Sequence, residues 1–230
     1  MFASAWSITL IPAALAILAT AVALKQQPGA RMVSAIQHFA AGVIFAAAAG
    51  EILPDVIHGG SPMATFIGGT LGVLAMLAVK QLETLFKGAT GLLAMIGFDL
   101  LVDGLILGIG FAASAQTGLL LTLAISLEVI FLGLALSVGL ARGNWPTGKI
   151  ILTTAALMAL LPIGALLATP VALLSQTMIT GFLTFGLIAL LFLVTEELLV
   201  EAHETPESPW ITAMFFAGFL ALLLLEELML

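Results

Sequence analysis

Apolar stretches of about 20 residues alternate with short polar breaks along the whole chain, and about 20 residues is the length that a helix needs to cross a membrane. The breaks are rich in Gly, Pro, Asn and Gln, which is typical of turns. The pattern predicts eight membrane-spanning helices: Ile8–Leu24, Val33–Ile57, Ala64–Phe86, Ala89–Ala113, Leu119–Ala141, Lys149–Thr169, Met178–Glu201 and Trp210–Leu228. Gly88 is predicted to separate the third helix from the fourth, and residues 116–118 are predicted to form the turn before the fifth.

The composition agrees with a membrane protein. Hydrophobic residues make up 62% of the 230-residue chain and charged residues 8%, whereas a soluble globular domain has about 25% charged residues. We therefore predict an all-α integral membrane protein with a single transmembrane domain over residues 1–230. The absence of cysteine excludes disulfides, thiolate metal ligands and thiol nucleophiles. The formal net charge of −7 argues against a nucleic-acid partner, so the expected partner is the lipid bilayer.

The basic residues predict how the helices are oriented. All six lie in or beside the breaks after the first, third and fifth helices: Lys25, Arg31, Lys80, Lys87, Arg142 and Lys149. Because basic loops stay on the cytoplasmic side, both termini are expected outside, in a multi-pass protein of the cell (inner) membrane. Residues 1–6 lack the basic side chains of a signal peptide, so the first helix is expected to be retained.

A short motif occurs near the end of the second helix and again near the end of the seventh. Each copy has an acid, three intervening residues, a second acid and then a histidine. The copies are Glu51, Asp55 and His58, and Glu197, Glu201 and His203. The two helices cross the membrane in opposite directions. The motif therefore predicts an inverted repeat of helices 1–3 and 6–8 around helices 4 and 5, which is typical of secondary transporters.

Three acids are predicted near the middle of the membrane. Asp99 and Asp103 lie roughly 15 and 21 Å into the fourth helix at 1.5 Å per residue, and Glu128 lies at a similar depth in the fifth. Their i, i+4 spacing places Asp99 and Asp103 on one helix face. A carboxylate at this depth costs roughly 3 kcal/mol or more, and neither predicted helix contains a Lys or Arg that could neutralise it. The group is therefore expected to bind a cation or protons. The alternative is a structural role, in which protonated acids connect helices by hydrogen bonds.

The other acids are predicted at the two membrane surfaces. Glu51, Asp55 and His58 lie near the outer face, and Glu196, Glu197, Glu201, His203 and Glu204 near the inner face. Acidic vestibules would raise the local concentration of a cation, so these residues are possible entry and exit groups. The alternative is that they are solvated residues at helix ends. Glu83, Glu226 and Glu227 are interpreted as incidental, and His38 as a hydrogen-bonded interior residue.

The types of side chain at mid-membrane bear on the expected ion. All three are carboxylates, with no thiolate and no imidazole among them. Hard divalent cations such as Mn²⁺, Mg²⁺ or Ca²⁺ prefer oxygen ligands, and Fe²⁺ also accepts them. Zinc sites usually include His or Cys. A divalent metal ion is thus the expected substrate, zinc is less favoured, and no organic cofactor is expected.

Two helices resemble those of the ZIP (Zrt/Irt-like) divalent-metal transporters, in particular the bacterial GufA-like branch. The second helix reads FAAGVIF at residues 39–45 and ILPD at 52–55, similar to the family's FAAGVML and LLPEA. The seventh reads EELLVEAH at residues 196–203, similar to DELIPEAH. The resemblance covers nearly the whole length. It implies eight helices with outward termini, a homodimer, and an elevator-like movement of helices 1, 4, 5 and 6 against 2, 3, 7 and 8.

The metal motifs depart from the family pattern. The fourth helix of the family reads H-N-x-P-[DE]-G, and here Asp99 takes the place of the histidine while Asp103 is retained. In the fifth helix Glu128 takes the first ligand position, but Leu132 replaces the family's glutamate. Leu161 replaces the glutamate of the sixth. The resemblance thus implies a single metal site formed by Asp99, Asp103 and Glu128.

Four functions are compatible with these observations. The first is a ZIP-like transporter that moves a divalent cation by alternating access, and is not an enzyme. The second is a transporter of the same fold whose acids carry protons and whose substrate is not a transition metal. The third is an intramembrane hydrolase built on two aspartates. It is disfavoured because Asp99 and Asp103 lie on one helix and do not face each other from two, and because the G-x-G-D motif of intramembrane aspartyl proteases is absent. The fourth is a paralogue that no longer transports, which the retained mid-membrane acids argue against.

Overall fold

The computed structural model describes residues 6–26, 28–85, 89–206 and 208–229. Over these ranges it contains helices and no strand, and eight helices are long and apolar enough to cross a membrane. They are α1 (Trp6–Gln26), α2 (Ala30–His58), α3 (Pro62–Leu85), α4 (Ala89–Ala113), α5 (Ala115–Arg142), α6 (Thr147–Leu167), α7 (Gln176–Ala202) and α8 (Pro209–Met229). The predicted fold class is confirmed. Lys87 and the predicted break at Gly88 lie outside the described residues.

The fifth helix begins earlier than predicted, so the turn predicted at residues 116–118 is wrong. Ser114 has extended backbone angles and caps α5, and its hydroxyl accepts a hydrogen bond from the Thr117 N–H at 2.9 Å. A serine cap satisfies one of the unpaired N–H groups of the first turn. The helical hydrogen bonds can therefore begin directly after Ser114, and Gly118 does not interrupt them.

Helix α6 contains a turn at Ala159 that divides it into Thr147–Met158 and Leu160–Leu167. The cause is Pro162, which has no N–H to bond the carbonyl group four residues earlier. The chain continues in nearly the same direction, since both residues beside the break keep helical backbone angles. Leu161, which stands where the family has a glutamate, is buried next to this turn.

Two helices contain a wider, π-helical turn near one end. In α2 it covers Ala48–Ile52, and in α7 it covers Leu193–Leu198. Single π turns inside α-helices occur frequently at functional sites. In α2 the following proline, Pro54, cannot donate to the carbonyl of Gly50, which favours the wider turn. The corresponding position in α7 is Val200, so a proline is not the common cause.

The helices pack as two groups. Helices α1, α4, α5 and α6 form the first group, in which α1 packs on α5 and α4 on the second half of α6. Helices α2, α3, α7 and α8 form the second, in which α2 packs on α8 and α3 on α7. Within the second group α2 also packs on α7, over an interface of similar extent to that between α3 and α7. The division is the one that the family resemblance implies.

Glycines allow the closest of these approaches. A Cβ atom on Gly104 of α4 would collide with the carbonyl oxygen of Leu161 in α6, and one on Gly164 of α6 would collide with that of Leu101. Gly42 of α2 lies in the same way against the backbone of α8. Small residues at helix interfaces let the backbones of membrane helices come close together. These helices can pack backbone to backbone because glycine has no side chain at the points of contact.

The inverted repeat stays a prediction. Exchanging helices 1–3 with helices 6–8 would exchange the α2–α8 interface with α7–α3, and the α1–α5 interface with α6–α4. All four interfaces are present, and the two π turns lie in the two copies of the sequence motif. These features are what such a repeat would produce.

Candidate cation site

The three predicted mid-membrane acids line one cavity. Asp99 and Asp103 of α4 have 5% and 4% of their surface exposed, and Glu128 of α5 has 0%. The cavity has a volume of about 10 Å³, which is the room needed for about one water molecule. The opposite wall is apolar and belongs to the other helix group, with Met76 from α3 and Ala189, Leu190 and Leu193 from α7. The site therefore lies between the two groups.

The carboxyl groups of Asp103 and Glu128 lie within hydrogen-bonding reach of each other. Neither oxygen of Glu128 receives a hydrogen bond from an N–H or hydroxyl group of the described residues, and the same is true of Asp103 Oδ2. Two ionised carboxylates have only acceptor atoms, so a proton or a cation must lie between them for the contact to be favourable. No Lys, Arg or His occurs in the sequence between Gly88 and Ala141.

The acids do not form a preformed metal cluster. Among the described residues, no three His, Asp or Glu side chains stand in a geometry that could hold a metal ion. Glu128 interacts electrostatically with Asp103 and Asp99, and the i, i+4 spacing brings both aspartates to one face of α4. The assignment of Asp99, Asp103 and Glu128 as metal ligands stays a prediction.

One of the predicted inner acids extends the site. Glu197, in the π turn of α7, is half-buried and interacts electrostatically with both Asp103 and Glu128. Its neighbour Glu196 instead forms an ion pair with Lys80 on the exposed surface. The sequence places both glutamates at the same depth, and only their positions around the helix distinguish them.

The remaining inner residues connect α7 to α2. Gln37 donates a hydrogen bond to Glu201 at 3.0 Å, and the ring of His203 packs edge-on against His38 at 5.2 Å. His38 is buried, and its Nδ1 atom lies 2.9 Å from the carbonyl oxygen of Ser34. His38 is thus an interior, hydrogen-bonded residue, as the sequence predicts.

The predicted outer acids also stand together, with one addition. Glu51 is buried in the π turn of α2, accepts a hydrogen bond from the Thr117 hydroxyl, and interacts electrostatically with Asp55 and Glu226. Asp55 interacts in turn with the exposed His58. Glu226, which the sequence analysis interprets as incidental, also lies here, with its carboxylate beside Gly50. No sequence pattern links the end of α8 to α2, so only the α2–α8 packing reveals this contact.

An apolar layer separates the outer acids from the buried ones. It surrounds a second cavity of about 10 Å³ and is formed by Ile52, Ile106, Ile109, Leu121, Phe182, Leu183 and Gly186. Ile106 packs directly over the backbone of Gly186, which joins α4 to α7 at this level. On α4 the layer lies one to two turns beyond Asp103, on the side that the basic loops predict to be external. None of the described side chains that line this second cavity is polar.

No protein-family model and no curated protein sequence matches the chain. The resemblance to ZIP transporters therefore depends on the motifs of α2 and α7 and on the positions of the acids in α4 and α5.

Proposed function

We propose that the protein is a ZIP-like membrane transporter that moves a divalent metal cation through a single site formed by Asp99, Asp103 and Glu128. The observation that carries this proposal is the burial of three carboxylates around one ion-sized cavity that no basic side chain of α4 or α5 neutralises. Burying a carboxylate without a compensating charge is costly. A protein retains such a group where a cation regularly compensates it.

The location of the site supports alternating access. All three acids belong to the group of α1, α4, α5 and α6, whereas the apolar wall of the cavity belongs to α3 and α7. A shift of the first group along the second would bring the acids to a different part of the wall and hence to a different side of the membrane. An elevator-like movement of this kind needs no change within either group.

A second candidate function is favoured by the contact between Asp103 and Glu128. Both oxygens of Glu128 and Oδ2 of Asp103 lack a donor among the described residues, and such a carboxyl pair is suited to sharing a proton. No three-ligand metal cluster is preformed among the same residues. In this version the acids bind protons and the substrate is not a transition metal. The fold and the movement would be unchanged, and only the transported ion would differ.

Flux into vesicles separates the two functions. Purified protein in liposomes is supplied with Mn²⁺, Fe²⁺, Mg²⁺, Ca²⁺ or Zn²⁺ outside, and metal uptake and internal pH are measured together. We expect metal uptake that Asp103→Asn or Glu128→Gln reduces by about tenfold or more, with Asp99→Asn weaker because its carboxylate is not in the Asp103–Glu128 contact. Glu196→Gln is the matched control, since Glu196 pairs with exposed Lys80.

Proton flux without uptake of any of these metals would favour the second function. Normal metal uptake by all three site variants would contradict the assignment of the site.

The assembly and the membrane belong to the proposal as well. The eight apolar helices indicate a multi-pass membrane protein, and we place it in the cell membrane with both termini outside. The proposed assembly is a homodimer, as the family resemblance implies. The mass of the detergent-purified complex, measured by light scattering with the bound detergent subtracted, tests the dimer.

A further inference from the structure

The two π turns hold one glutamate each in the same register. In α2 the Leu53 N–H bonds to the carbonyl of Ala48, and in α7 the Leu199 N–H bonds to that of Val194. Both are bonds to the fifth preceding residue. Glu51 lies two residues before the first donor, and Glu197 lies two residues before the second. Glu51 and Glu197 therefore occupy equivalent positions both in the repeated sequence motif and in the two π turns.

The two glutamates have different surroundings. Glu197 interacts with the buried acids Asp103 and Glu128, and Leu193, about one turn earlier on α7, lines their cavity. Both Glu128 oxygens line the same site, are buried, and have no hydrogen-bond donor in the part of the chain that the structure describes. Glu197 is itself half-buried. It therefore stands between the site and the surface that the basic loops predict to be cytoplasmic.

Glu51 is bound elsewhere, to the start of α5. The Thr117 hydroxyl donates to Glu51, and the Ser114 hydroxyl, which caps α5, lies 2.9 Å from the Thr117 hydroxyl and donates to it. This chain of hydrogen bonds joins α2 of one helix group to α5 of the other. The apolar layer that contains Ile106 lies between Glu51 and the buried acids.

We infer that Glu197 and Glu51 are a pair of positioning residues that serve the buried site in turn, Glu197 from the inner side and Glu51 from the outer. This inference rests on the proposed function. In the structure Glu197 interacts with the buried acids. The hydrogen-bond chain Ser114–Thr117–Glu51 keeps the two helix groups closed against each other on the outer side of the acids. When the two helix groups shift, the bond to Thr117 breaks and Glu51 comes within reach of the acids, while Glu197 loses them.

Cation flux tests the pairing. Glu197→Gln and Glu51→Gln are both expected to lower flux by about tenfold or more, although only Glu197 is near the acids in the structure. Glu196→Gln and Glu227→Gln are matched controls at the inner and outer ends, and both residues are exposed. We expect the controls to stay within about twofold of the unmodified protein, as is usual for exposed charges. Unchanged flux in Glu51→Gln would overturn the inference.

A labelling experiment tests whether the hydrogen-bond chain keeps the apolar layer closed to the outside, and it does not require a measurement of transport. The chain contains no cysteine, so Ile106→Cys introduces a single thiol within the apolar layer. We expect Thr117→Val to increase its rate of labelling by a membrane-impermeant maleimide from outside by about tenfold, the effect of about 1.4 kcal/mol on a two-state equilibrium. Thr117→Ser keeps the hydroxyl and is expected to leave the rate unchanged.

Leu183→Cys is a second reporter position in the same layer, for use if Ile106→Cys folds poorly. Equal labelling in the Thr117→Val and Thr117→Ser backgrounds would overturn the role of the hydrogen-bond chain. If the unmodified protein transports no cation but Thr117→Val still opens the layer, the proposed function fails while the closure stands. If transport is normal and the layer does not respond, only the further inference fails.

Discussion

Asp103 on α4 and Glu128 on α5 meet carboxyl to carboxyl in a cavity between the two helix groups. Both side chains are almost completely buried. The contact is unfavourable when both groups are ionised and nothing lies between them, and it becomes favourable with a shared proton or a bound cation. Whether the two carboxyl groups stay together therefore depends on whether the site holds a proton or a cation.

Cation binding is predicted to stabilise the folded protein through this contact. A ligand at 100 times its Kd adds about 2.7 kcal/mol to the free energy of unfolding, so the transported metal is expected to raise the melting temperature in detergent. Glu128→Gln removes one ligand and is expected to abolish the increase. Thermal unfolding with and without each metal measures the effect. An equal increase in the variant and the unmodified protein would contradict the site.

The interface between α4 and α6 is predicted to be intolerant of even one methyl group. A Cβ atom on Gly104 would collide with the backbone of Leu161, and backbone cannot move away as a side chain can. Gly104→Ala is expected to destabilise the protein by about 1–3 kcal/mol. Gly148→Ala is the control, because nothing lies within 4 Å of its Cβ position. Chemical denaturation in micelles checks both, and equal stabilities would refute the close approach.

A buried hydrogen bond between α2 and α7 is predicted to contribute more to stability than an exposed ion pair between α3 and α7. The Ser34 hydroxyl, with 1% of the residue exposed, donates to the carbonyl of Ala202 at 2.8 Å. Its loss in Ser34→Ala is expected to cost about 0.5–1.5 kcal/mol. Lys80→Ala breaks a pair with Glu196 whose side chains are nearly half exposed, and such pairs contribute about 0–1 kcal/mol. A larger loss of stability in Lys80→Ala would contradict this order.

The orientation in the membrane is predicted by the basic loops and can be measured on the cysteine-free chain. Ser61→Cys lies between α2 and α3, and Asn144→Cys lies between α5 and α6. An impermeant maleimide added to intact cells is expected to label Ser61→Cys and not Asn144→Cys, because basic loops remain in the cytoplasm. Labelling in permeabilised cells is the control for reactivity at both positions. The reverse pattern would invert the predicted topology.

The extent to which the site could be predicted differs from residue to residue. Asp99, Asp103 and Glu128 stand out in the sequence because charges are rare in apolar helices and helix depth follows from residue number. The depth of Glu196 and Glu197 is equally clear, but their different partners depend on their positions around the axis of α7, which no local pattern indicates. The position of Glu226 beside Glu51 and Gly50 could not be predicted, because these residues are far from it in sequence.

The local chemistry of the turns was also only partly predictable. Gly118 suggested a break, whereas Ser114 supplies a cap strong enough to begin α5 earlier, and this placed Thr117 inside the first turn, where its side chain meets Glu51. Propensity alone could not decide between these two signals. The cap was decisive because it satisfies an N–H group that would otherwise have no partner.

The sequence by itself determined that the protein spans the membrane eight times, because a run of about 20 apolar residues has no stable place in water. It also predicted which acids lie near the middle of these spans. The tertiary structure alone decided that these acids face the other helix group across one cavity, that Glu197 and not Glu196 joins them, and that Glu51 is held by Thr117. The physical reason is that hydropathy and helical rise fix depth along the membrane normal, whereas rotation about each helix axis is fixed only by packing against neighbouring helices.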